Sequence, residues 1–155
     1  MKFVNGLMLA LALVAHCALA DDGLSWTQET VKVVRAPDGK ETFVSADQAK
    51  LNDIVECRTV YRNTTPQPLE RASATMPIPP GFEYVPNTGT AKALASTDGK
   101  IFAPVPLVRL VSSPEGKRAT EHVPPAEYRY LRWHLDLPVG ASSTVVARMK
   151  MSATQ

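Results

Sequence analysis

The stretch that decides the fold is Tyr128-Arg129-Tyr130-Leu131-Arg132-Trp133-His134-Leu135-Asp136-Leu137, followed by Pro138-Val139-Gly140 and by Ser143-Thr144-Val145-Val146-Ala147-Arg148-Met149-Lys150-Met151. Side chains of a strand alternate between its two faces. Leu131, Trp133, Leu135 and Leu137 therefore share one face and Tyr130, Arg132, His134 and Asp136 the other. In the second run Val145, Ala147, Met149 and Met151 point one way, Arg148 and Lys150 the other. Pro-x-Gly between them is turn chemistry, so the two runs read as consecutive strands with one apolar side each.

Working upstream, Asp53 to Asn63 repeats the pattern, with Val55, Cys57, Thr59 and Tyr61 on one side and Glu56, Arg58 and Arg62 on the other. Leu24 to Arg35 is rich in β-branched residues and ends at Pro37-Asp38-Gly39. Proline presets φ and glycine accepts a positive one, so Glu41 to Val44 is expected to return as a hairpin partner. Ser45 to Asn52 reads as a loop or a single helical turn. Leu69 to Met76 sets Ala72, Ala74 and Met76 on one face before Pro77, Pro79 and Pro80, which lack donors, leave the ladder. A short strand over Phe82 to Val85, a second Asp-Gly hairpin signal at Asp98-Gly99, and a short edge strand around Leu107 to Val111 followed by an exposed proline-rich loop complete the reading. Strands every 8 to 15 residues or so, with turns between, indicate an all-β antiparallel β-sandwich.

Composition agrees. The chain has 155 residues, 45% hydrophobic and 21% charged, with 13 prolines against 8 glycines. Prolines spread this widely disfavour a helical bundle. A formal charge of +2 without a clustered basic face is no footprint for nucleic acid.

Residues 1–20 read as a signal peptide: Lys2, an apolar run from Leu7 to Ala15, and Ala18-Leu19-Ala20 ahead of Asp21-Asp22. The run is short of the roughly 20 apolar residues of a spanning helix. Cys17 raises the alternative of a lipidated cysteine, but His16 stands where a small residue is needed, so cleavage after Ala20 is expected. Residues 21–46 then form an N-terminal strand or hairpin and residues 47–155 the sandwich domain. Loss of Cys17 leaves Cys57 alone, so the exported chain would hold no internal disulfide and would depend on its core, which is expected to include Val55, Cys57, Tyr61, Leu131, Trp133, Leu135, Val145 and Met149.

Three segments in order resemble the bacterial conserved-repeat domain of unknown function numbered eleven in that series. They are Asn52 to Thr64, ending in Tyr61-Arg62-Asn63-Thr64; Met76-Pro77-Ile78-Pro79-Pro80-Gly81-Phe82-Glu83-Tyr84-Val85-Pro86; and Tyr130-Leu131-Arg132-Trp133 joined to Leu137-Pro138-Val139-Gly140-Ala141-Ser142-Ser143-Thr144-Val145. The resemblance spans roughly Asp47 to Met151, as a single copy, and implies an immunoglobulin-like module of envelope or surface proteins with no catalytic residues.

Chemistry-bearing residues are sparse. Beyond residue 20 only His122 and His134 offer imidazoles, and no phosphate loop, paired-cysteine or His-Glu-x-x-His motif occurs. Catalysis, a cofactor and a metal are therefore not expected. The alternative is periplasmic copper binding, since Met76, Met149, Met151, Cys57 and the two histidines are ligands suited to Cu(I); core filling accounts for the same methionines. Asn63-Thr64-Thr65 is formally a glycosylation sequon. The remaining class is a structural or interaction module of the periplasm or extracellular space, binding an envelope protein through a sheet edge or through the proline-rich Ala103 to Pro125 segment.

Overall fold

The computed structural model describes residues 23–112, 116 and 118–153; the expected signal peptide, with Cys17, lies outside them. Among the described residues there are eleven strands: β1 (Leu24–Arg35), β2 (Glu41–Ser45), β3 (Ile54–Asn63), β4 (Leu69–Pro77), β5 (Phe82–Tyr84), β6 (Leu94–Ser96), β7 (Ala103–Pro104), β8 (Val108–Ser112), β9 (Arg118–His122), β10 (Tyr130–Leu137) and β11 (Ser142–Met151). One sheet runs β2-β1-β3-β11-β5, a second runs β4-β10-β6-β7, and β8 pairs with β9 alone. Every pairing is antiparallel. The segment Ser45 to Asn52 resolves into one short 3-10 turn, Ala46–Gln48, whose Asp47 N–H is met by the Ser45 hydroxyl.

The two larger sheets share one core. Val55, Cys57, Thr59 and Tyr61 of β3 and Val145, Ala147 and Met149 of β11 are buried, as are Ala74 and Met76 of β4 and Leu131, Trp133 and Leu137 of β10. Alternation alone puts these residues on the inward faces. Of the expected core only Leu135 differs: it is half-buried against the cluster, because β10 shifts register between Leu135 and Leu137 where it pairs with β4. Tyr84 and Tyr128, stacked with ring centroids 6.3 Å apart, also belong to the core, one from an edge strand and one just before β10.

Polar groups tie the sheets together where the core meets backbone. The Tyr61 hydroxyl donates across the gap to the Thr75 carbonyl at 3.1 Å, and burial pushes its pKa up to about 12. The Trp133 indole N–H donates to the Thr90 carbonyl, while Thr90 in turn bonds Val146 through both backbone and hydroxyl. Gly89 makes this approach feasible, since a Cβ there would sit 2.1 Å from the Val146 carbonyl oxygen.

Asn63 closes the far end of β3. Fully buried, its amide N–H groups are shared by the carbonyls of Gln67, Leu137 and Pro138 at 2.7 to 3.2 Å, and its Oδ1 accepts from the Thr65 N–H and hydroxyl. The sequon reading of Asn63 is thereby corrected for the folded chain. The nitrogen that would carry a glycan is engaged inside the protein, joining the β3–β4 and β10–β11 connections.

Candidate functional site

The segment after β7 holds more order than the edge strand and exposed loop expected of it. Leu107 and Val123 are buried, the Val123 N–H donates to the Leu107 carbonyl at 2.9 Å, and the Leu107 N–H donates to the buried Tyr128 hydroxyl at 2.9 Å. From that root β8 and β9 run outward as a hairpin with no ladder bond to either larger sheet. The expected edge strand at Leu107 to Val111 is thus present, and the exposed loop after it contains a second strand. β9 was not legible because Arg118-Ala119-Thr120-Glu121-His122 carries no apolar alternation.

The register fixes what the hairpin presents. Bonded pairs alternate along an antiparallel ladder, so the Leu107–Val123 bond assigns Arg109–Glu121 and Val111–Ala119 as the bonded pairs. The N–H and C=O groups of Val108, Leu110 and Ser112, and of Arg118, Thr120 and His122, consequently point away from the partner strand. On the root-facing side Arg109 is clamped by Glu121 at 2.8 Å and by Glu127 at 2.7 Å. On the outer side Val108 and Leu110 are 56% and 74% exposed, beside exposed Thr120 and His122. Two bare aliphatic side chains over an open backbone edge are a feature that folded proteins ordinarily suppress.

Three other edges, those of β4, β7 and β2, are suppressed. β4 bends at Arg71, a residue with φ of 52° whose N–H is taken by Asp136, and ends on Pro77. Its Ile78–Arg129 bond turns the Thr75 carbonyl outward, and Tyr61 occupies that carbonyl. β7 is two residues long and contains Pro104. β2 is held down: Phe43 packs beneath the Arg58 guanidinium at 4.4 Å, and Glu41 forms a two-pronged pair with Arg148 at 2.7 and 3.0 Å.

That last contact belongs to a lattice of charge on the outer face of the five-stranded sheet. Arg35 and Arg148 both hold Glu41; Arg148 and Arg58 both hold Glu56, at 2.8 and 2.7 Å. Glu56 was expected among outward residues and does project outward, yet the two guanidiniums cover it until it is buried. Hydrogen bonds from Arg148 and then Arg35 hold the Glu41 carboxyl down at about 2. The lattice latches the β1–β2 hairpin to β3 and β11, strands that β2 does not pair with.

The residues considered for copper divide between core and surface. Met76, Met149 and Cys57 are buried in the core, Met151 is half-buried at the end of β11, and His134 and His122 are exposed on β10 and β9. Burial raises the Cys57 thiol pKa, against a weaker lowering by its 3.6 Å contact with the Thr30 hydroxyl. Among the described residues no group of three or more His, Cys, Asp and Glu side chains converges. Two open depressions mark the surface, one lined by Ser25, Arg62, Thr64 and Val139, the other by Gln28, Arg58, Val60 and Thr144.

No family model, curated protein or solved structure matches the chain.

Proposed function

We propose that the protein is an exported, non-catalytic interaction module of the bacterial cell envelope, an immunoglobulin-like domain freed of its leader after Ala20 and working by contact through the β8–β9 hairpin. The observation that carries this reading is the contrast at the hairpin itself: a firmly rooted ribbon whose outer face holds Val108 and Leu110 bare above unpaired backbone groups. A strand edge of this kind is a general means of recognising an extended partner. The resemblance to the envelope repeat domain and the leader-like Met1 to Ala20 segment support the compartment. Two antiparallel sheets around a buried Trp133 are compatible with the immunoglobulin-like architecture.

The test combines the intact mass of the protein from an envelope extract with photo-crosslinking in cells from position 110. A chain starting at Asp21 that crosslinks from position 110, and not from the hairpin turn at Lys40, supports the proposal. A cytoplasmic chain retaining Met1, or no product from position 110, refutes it.

A further inference from the structure

The geometry points to a second copy of this chain as the partner of β8, joined edge to edge about a two-fold axis through Leu110. This rests on the reading of the hairpin as a contact element and names its occupant. β8 spans five residues, and the three whose backbone groups face outward, Val108, Leu110 and Ser112, are placed symmetrically about its middle residue. An antiparallel copy therefore pairs Leu110 with Leu110 and Val108 with Ser112, using every outward group with no overhang and making about six hydrogen bonds between chains.

Side chains agree with that register. On the outer face the Val108 and Leu110 side chains of both copies join into one aliphatic strip, replacing two isolated exposed patches. On the other face Arg109 meets Val111, and its charge is already neutralised by Glu121 and Glu127 of its own chain, so no like charges oppose. Pairing along β9 is worse: a two-fold axis at Thr120 sets Arg118 against His122, two basic side chains, at both ends. Among the larger sheets' edges, β4 is bent, β7 is capped by proline and β2 is latched, as described above.

A strand pair this short buries well under the ~1,200 Å² of a stable specific interface, so the dimer is weak and exchanges rapidly. Sedimentation of the purified protein from about 10 µM to 1 mM should show reversible dimerisation. Leu110→Glu, which sets two carboxylates together on the axis, should weaken it at least about ten-fold. Directly opposed residues in a bonded pair stand about 5.5 Å apart between Cα atoms, within disulfide range. Mild oxidation of Leu110→Cys should hence give a covalent dimer at least about ten times faster than Thr120→Cys, at another exposed position on the other strand. Unchanged tryptophan fluorescence in each variant checks that the body is folded. Wild-type protein monomeric throughout, or equal crosslinking of the two thiols, overturns self-pairing. Crosslinking from position 110 to a different envelope protein, with no homodimer, overturns it too while leaving the hairpin as the contact element.

Discussion

Two aliphatic side chains on alternating strands meet opposite fates in this molecule: Leu131 on β10 is completely buried, whereas Leu110 on β8 is 74% exposed. Both strands obey the same in-and-out periodicity. The difference is what lies across from each. β10 sits between β4 and β6 and faces β3 and β11 across a shared core, so its apolar side is removed from water. β8 has β9 and nothing more, and a two-stranded ribbon standing alone is marginal in water. Its order is borrowed from the root, where Leu107, Val123 and the Tyr128 hydroxyl are buried and Arg109 spans two carboxylates. Stability belongs to the body, and the proposed contact to the hairpin.

The sharpest way to break that division is in the body. Trp133→Ala removes a buried indole and its bond to the Thr90 carbonyl, and should cost about 3 to 5 kcal/mol in denaturant unfolding; a cost near zero would show the shared core to be misplaced. Asn63→Ala should come next, at about 2 to 3 kcal/mol, because the Leu137 and Pro138 carbonyls lose their donor in a closed site. Stability unchanged by this substitution would mean that water serves those carbonyls as well.

A pH titration sharpens the role of the outer lattice. Glu41 titrates lower in the folded chain, about 2 against an ordinary 4.5, so its contribution is complete above 4.5 and is lost as pH falls toward 2. Glu41→Gln should flatten the fall in stability over that acid window and leave the neutral-to-alkaline profile parallel to wild type. Identical acid profiles would detach Glu41 from folding. The smallest effect is expected in the hairpin: Leu110→Ser should change stability by under about 0.5 kcal/mol, and a loss comparable to that of Asn63→Ala would mean that Leu110 packs on the body after all.

How far the sequence could be read follows the same division. β3, β10 and β11 announce themselves because one face of each enters the core and the apolar positions recur every second residue. The β1–β2 hairpin was visible through Pro37-Asp38-Gly39, where Gly39 does take a positive φ. β9 was invisible because all five of its residues are exposed and its pairing with β8 leaves no imprint on hydrophobic pattern. Glu56 looked like a solvent residue, since nothing local tells that Arg148, 92 positions away, will cover it. Asn63 read as a sequon because three acceptors that consume its amide, two of them beyond residue 136, converge only on folding. Sheet order was equally hidden: β11 lies between β3 and β5, a placement set by long-range pairing.

The proposed contact surface was therefore legible as a location, the proline-rich Ala103 to Pro125 segment, and not as a form. Alternation within the expected strand already puts Val108 and Leu110 on one face, yet only the register shows that they stand over an open edge.

Cutting the hairpin at its root tests the division most directly. The Leu107–Val123 bond leaves the two ends paired, so residues 108–122 can be replaced by Asn-Gly, a pair suited to a tight turn. Denaturant unfolding of this shortened chain, against wild type, is the measurement. The account predicts a single cooperative transition with stability within about 1 kcal/mol of wild type, together with loss of the position-110 contact. A chain that no longer unfolds cooperatively, or that loses most of its stability, would contradict it by making the hairpin part of the fold.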